Sequence, residues 1–271
     1  MTEIKPVTRI AWWSKELKNL WEPRLDRIRE TYNAAELATV LAGMRRVFVY
    51  HVNSNNFEGS YEFLRKNNLV YFPTNKSGVY NGFSHKHQPV EQGKPYMLYG
   101  AAVKSDDLEA GEIFSEASTG NTNHGDIGEL LGYPRCCIDF FNETWNSESI
   151  DPIYESTINT EDAEINDADE VTVTCHPHCN NMLRYFGLRI TPHLPCSMTC
   201  ESTIKWGKEW VDIMRQIDDM ATDWALELLS MPSTWNCLKG VAIIETPIFR
   251  GITNSDMCLT KKFVNNLGWL K

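Results

Sequence analysis

The sequence predicts an α+β (mixed α/β) fold, a small sheet with helices that carry a cysteine-rich centre. Three observations lead there. Apolar residues recur at three- and four-residue steps over residues 14–44 and again from Ile204 to Met231, the period of a helix with one buried face. Short runs of β-branched and aromatic residues, bounded by turn residues, read as strands. Four of the eight cysteines fall in two short segments, each behind a proline.

In the first helical stretch Leu17, Leu20, Trp21 and Leu25 form a stripe that Ala34 to Leu41 continue, and Pro23 is expected to break or start a helix. Arg45 to His51 reads as a strand, residues 54–66 as a helix and Asn68 to Phe72 as a second strand, an order that suggests a βαβ unit. Residues 77–88 are turn-rich, and Pro95 to Val103 is a third strand. A short helix through Ile127, Leu130 and Leu131 stops at Gly132, and the next runs from Pro134 through Trp145. Residues 148–170 are acidic and poor in large apolar side chains, which reads as a solvated excursion. Asn180 to Phe186 is a short helix ending at Gly187, and Pro195 opens the long helix that Pro232 ends. Gly240 to Thr246 is a strand that Pro247 to Phe249 extends. Residues 1–115 are thus an α/β portion. Residues 116–271 are a cysteine-rich, mostly helical portion with a C-terminal strand, either separate from the first or integrated with it.

Charge narrows the function classes. Lys and Arg number 26 against 36 Asp and Glu, a formal net charge of −10, which argues against a broad basic surface for nucleic acid. The first ten residues lack the apolar run and cleavage pattern of a signal peptide, and no apolar stretch has the length to cross a bilayer. A cytoplasmic location with no membrane partner is expected. There, cysteines serve as thiols or metal ligands more often than as disulfides. The sequence holds no P-loop, G-x-G-x-x-G, G-x-S-x-G or H-E-x-x-H.

Proline suits the first turn of a helix. Pro134 and Pro195 would therefore each place a cysteine pair near a helix N-terminus, where the dipole favours the thiolate, the form that binds metal. Cys196 and Cys200, four apart, would share a helix face. Neighbours on a helix point about 100° apart. Cys136 and Cys137 would thus suit two irons of a cluster better than one ion with bonds of about 2.3 Å. Cys136, Cys137, Cys196 and Cys200 together supply the ligand set of a [4Fe-4S] cluster, the leading cofactor expectation, with zinc as the alternative. A second zinc arrangement joins Cys175, Cys179, Cys196 and Cys200 as C-x3-C-x16-C-x3-C, close to a zinc ribbon but with wider pair spacing. A radical S-adenosylmethionine motif would need a third cysteine where Thr203 stands.

Among the remaining polar residues His193, three before Cys196, is the candidate for an acid–base group, a ligand or a hydrogen bond to a sulfur, and with Ser197 it would line the reacting side. His124 ranks behind it, while His85 and His87 sit in a polar turn. Cys237 and Cys258 have no partners in sequence, and Trp206, Trp210 and Trp224 fall at core spacing.

The run Leu131-Gly132-Tyr133-Pro134-Arg135-Cys136-Cys137 with Phe140-Phe141 is followed by Phe186-Gly187-Leu188-Arg189. After these comes His193-x-Pro195-Cys196-Ser197-x-x-Cys200. Together they resemble a prokaryotic family of unknown function marked by LGYP-x-CC and H-x-PCS-x-x-C, over about residues 123–202. The resemblance implies that Cys136, Cys137, His193, Cys196, Ser197 and Cys200 are the set that matters, with Cys175 and Cys179 outside its motifs. The expected function is an intracellular iron–sulfur enzyme acting in group transfer, sulfur chemistry or redox modification of a small molecule or nucleotide. The alternatives are a zinc-stabilised binding module without catalysis, and a structural or assembly protein whose centre is a staple.

Overall fold

These periods are realised as seven α-helices and nine strands among the residues that a computed structural model describes, which are 9–78, 89–119, 123–146, 152–166, 170–238 and 241–254. In chain order they begin with β1 (Arg9–Trp12), α1 (Lys15–Leu41), β2 (Val47–Asn53), α2 (Phe57–Lys66), β3 (Leu69–Gly78), β4 (Tyr96–Lys104), α3 (Leu108–Ser118) and α4 (His124–Leu130). There follow α5 (Arg135–Asn146), α6 (Pro152–Ile158), β5 (Glu164–Ile165), β6 (Val171–Val173), α7 (Glu201–Leu229), β7 (Ser233–Leu238), β8 (Val241–Glu245) and β9 (Phe249–Asn254). The fold is mixed α+β, with two antiparallel sheets where one small sheet was expected. His85, His87 and Cys258 lie outside the described residues. No helix among the described residues is long and apolar enough to cross a membrane.

The chain divides into two compact units, residues 36–138 and residues 1–35 with 139–271. The divisions fall inside α1 and α5.

In unit 36–138 the sheet order is β2-β4-β3. Both outer strands run antiparallel to β4, so β2 and β3 are parallel to each other with α2 connecting them. The expected βαβ unit is therefore present in split form, β4 standing between its strands. Alternation along the strands serves two cores. Val47, Ala101 and Val103 pack with Ala110, Phe114, Leu130 and Leu131. Phe48 and Ala102 pack with Val40, Leu64 and Leu69. Pro73, which has no N–H to donate, sits on the edge strand β3 where the register shifts.

The other unit holds the six-stranded sheet β1-β9-β8-β7-β6-β5. Trp21, Leu25, Ile28, Tyr32 and Ala35 form the buried stripe of α1. Pro23 lies within that helix and does not break it. A helix-interior proline costs about 3 kcal/mol, less than several buried side chains at about 1.5–3 kcal/mol each return. Tyr32 stacks on Trp210 of α7 at 5.8 Å between ring centroids. Pro247 to Phe249 does not extend β8. Thr246 Oγ1 accepts hydrogen bonds from the N–H groups of Ile248 (3.2 Å) and Phe249 (3.1 Å), turning the chain back into β9, which pairs antiparallel with β8.

Helix α7 is broken at Asp218, whose backbone is extended (φ −157°, ψ 96°). Its carboxylate restarts the helix by accepting from the Ala221 N–H at 3.0 Å and is clasped by the Arg27 guanidinium. Asp218→Ala should cost about 1 kcal/mol through the lost cap, and Asp218→Asn less, both read by denaturant unfolding. Arg27 holds the Asp218 carboxyl below its ordinary range. The stabilisation is therefore complete above the unfolded-state pKa of an aspartate and is lost as pH falls through the lower folded-state value. In Asp218→Asn that acid sensitivity should shrink.

Candidate metal centre

The first cysteine pair is set by a turn between two helices. Asn123 caps α4, its side chain accepting from the N–H groups of Gly125 and Asp126. After α4, Gly132 takes a left-handed conformation (φ 70°), and the Tyr133 N–H donates to the Gly128 carbonyl at 2.9 Å. The Pro134 carbonyl then accepts from Cys137 (2.9 Å) and Ile138 (3.1 Å), starting α5. Ile138 lies so close over Gly128 that a Cβ there would meet its Cγ1 at 2.7 Å. Cys136 and Cys137 thus occupy the first turn of α5 as the sequence suggested. Cys136 is exposed and Cys137 is 2 % exposed.

The second pair is held differently from the expectation. Residues 195–199 are a turn, and α7 begins at Glu201 with Cys200 as its N-cap. Backbone groups of this turn are taken up from outside. Ser156 Oγ donates to the Pro195 carbonyl (2.6 Å), Asn159 Nδ2 donates to the Cys196 carbonyl (2.7 Å), and the Met198 N–H donates to Thr160 Oγ1 (2.9 Å). From another side the His176 N–H donates to the Met198 carbonyl at 2.9 Å. The Cys200 N–H closes the turn onto the Ser197 carbonyl at 3.2 Å. Ser156, Asn159 and Thr160 belong to α6 and the residues just after it, inside the stretch read as a solvated excursion. Pro152, Ile153, Ser156 and Thr157 are buried instead. The signal was there: Glu155 is the only acidic residue of 152–160, and the dense negative charge starts at Glu161.

Four sulfurs result from this scaffolding, those of Cys136, Cys137, Cys196 and Cys200, all within 4.8 Å of one another. A group of this kind can hold a metal ion. Cys136 Sγ and Cys137 Sγ are 3.8 Å apart. The 100° between neighbours on a helix therefore does not separate their sulfurs, because rotation about each Cα–Cβ bond brings them together. Cys196 is half-buried and Cys200 is 7 % exposed.

Cys175 and Cys179 are not in that group. Both are buried beside it, and Cys179 Sγ donates to the Cys200 carbonyl at 3.6 Å. Burial pushes the Cys175 thiol up to about 12 and moves Cys179 upward as well. His178 Nδ1 faces the Ile204 carbonyl at 3.0 Å, so that nitrogen carries the proton. His193 is also outside the gathered set. It is 4 % exposed, with Nε2 2.9 Å from Thr203 Oγ1 and its ring edge-on to Trp206. Burial, more than any neighbour, lowers its pKa to about 3. Ser197 is half-buried in the turn, and His124 stands at the start of α4.

Residues 113–231 match a protein family of unknown function, DUF483. The DUF483 segment contains all four gathered cysteines together with Cys175, Cys179 and His193, and it starts after the three-stranded sheet. No curated protein and no solved structure matches the chain.

If the clasp from α6 positions the turn, Asn159→Ala should weaken metal binding roughly tenfold, the lower range for a residue that orients a ligand. Competition with a chromogenic chelator measures this, and helical circular dichroism should stay at the wild-type level.

Proposed function

We propose that Cys136, Cys137, Cys196 and Cys200 hold one metal ion as a closed tetrathiolate, with zinc as the ion, and that the centre stabilises the fold of a binding or structural module. The compactness of the four sulfurs carries this reading. Zinc–sulfur bonds of about 2.3 Å at tetrahedral angles put sulfurs about 3.8 Å apart. Cys136 and Cys137 stand at 3.8 Å, and the whole set lies within 4.8 Å. An [4Fe-4S] cube seats each thiolate on its own iron, at the corners of a tetrahedron wider than 4.8 Å. The spacing therefore favours the zinc alternative over the iron–sulfur enzyme.

Two further observations support a structural centre. Four cysteines complete a tetrahedron, whereas catalytic zinc sites keep one position open. His193 is buried, neutral and bonded to Thr203, which suits a packing role better than acid–base work at the metal.

Metal analysis of chain purified without oxygen tests the reading. The expected result is one zinc per chain, no acid-labile sulfide and no band near roughly 400 nm. Each of Cys136→Ser, Cys137→Ser, Cys196→Ser and Cys200→Ser should lower bound zinc, and the Cys175→Ala, Cys179→Ala double variant should retain it. Chelation should lower the melting temperature by roughly 5 °C or more, because a structural ion contributes to folding directly. Stoichiometric iron with sulfide would restore the cluster, and iron without sulfide would replace zinc by a single iron in the same tetrahedron.

A further inference from the structure

The four sulfurs differ sharply in access. Cys137 and Cys200 are 2 % and 7 % exposed, Cys196 is half-buried, and Cys136 is open to solvent. A thiolate is the nucleophilic form of cysteine, and its oxidation follows thiolate character and exposure. We infer that Cys136 is a modification site at which a peroxide-class oxidant opens the centre, forming a Cys136–Cys196 disulfide and releasing the ion. This inference rests on the single-ion reading above.

Geometry selects the disulfide partner. Cys137 Sγ lies 3.8 Å from Cys136 Sγ, but adjacent Cα atoms joined by a trans peptide are fixed at about 3.8 Å, short of the roughly 4.4–6.8 Å that disulfides span. The helical backbone of α5 fixes that spacing. Of the two remaining sulfurs, Cys200 is buried at the N-cap of α7, with its carbonyl accepting from Ile204 at 2.9 Å. Cys196 lies in the turn, half-buried, with its sulfur in the same 4.8 Å group. It is the sulfur placed to resolve an oxidised Cys136.

The chemistry balances with hydrogen peroxide as the oxidant. The Cys136 thiolate attacks one peroxide oxygen; an S–O bond forms, the O–O bond breaks and hydroxide leaves, giving the sulfenic acid. The Cys196 thiolate then attacks that sulfur; an S–S bond forms, the S–O bond breaks and a second hydroxide leaves. Two thiolates lose two electrons and one peroxide gains them, while two protons from solvent neutralise the hydroxides. With two of its four donors gone, the ion is no longer held. Thiol reductant reverses the sequence.

The test uses full-length chain whose zinc content is first measured. Hydrogen peroxide is added in steps, zinc release is followed with a chromogenic chelator, and cysteine pairing is mapped by peptide mass. The expected outcome is release of the bound zinc together with a Cys136–Cys196 crosslink, and rebinding of zinc after dithiothreitol. Absence of zinc before peroxide overturns the single-ion reading and the inference with it. Zinc present at the start but retained after peroxide, or released with any other pairing, overturns the inference alone.

Discussion

The Pro195–Cys200 turn depends on hydrogen bonds that it cannot make for itself. A run of six residues outside helix and sheet leaves its carbonyls and N–H groups to be satisfied elsewhere, and buried ones left unmade cost about 1–3 kcal/mol each. Ser156, Asn159 and Thr160 answer three of them and His176 a fourth. Because these partners act on the backbone, they fix the path of the chain without competing for the cysteine side chains. The separation of Cys196 and Cys200 follows from that path.

The surroundings also suit a charged centre. The four-thiolate zinc centre proposed above would carry a net charge of −2. Two helices begin at the cysteines, α5 with Cys136 and Cys137 in its first turn and α7 with Cys200 as N-cap. Their N-terminal dipoles oppose that charge. Behind the turn burial disfavours charge: it lowers the pKa of His193 and raises those of the Cys175 and Cys179 thiols, and Thr203 is fully buried. There the Cys179 thiol donates to the Cys200 carbonyl.

Long amphipathic elements were legible in the sequence because burial of a whole stripe dominates local chemistry. Helices α1 and α7 follow their apolar spacing, and the stops at Gly132 and Pro232 fall as turn chemistry requires; Gly187, left-handed like Gly132, closes a single 3₁₀ turn over Arg184–Phe186 where a helix from Asn180 was expected. Single-residue signals were weaker. Pro23 was overridden by the stripe around it, and Pro195 marks a turn instead of a helix start because the backbone is claimed by α6. That helix, with Glu155 its one acidic residue, was masked by averaging with the acidic residues that follow. The four gathered cysteines were identifiable from their motifs, but their geometry was not. Whether adjacent cysteines converge depends on side-chain rotation, and whether Cys196 and Cys200 share a helix depends on contacts about 40 residues away along the chain.

The order β2-β4-β3 has a consequence for how the chain is made. The two strands joined by α2 have no hydrogen-bonded contact with each other; each pairs only with β4, the last of the three to be synthesised. A nascent chain that has reached residue 95 therefore owns two apolar strands and no sheet. Domains tend to fold as units while they emerge, and unpaired strand edges are prone to aggregate in the interval. Completion of β4 pairs both neighbours at once, so this unit is built to assemble late and in a single step.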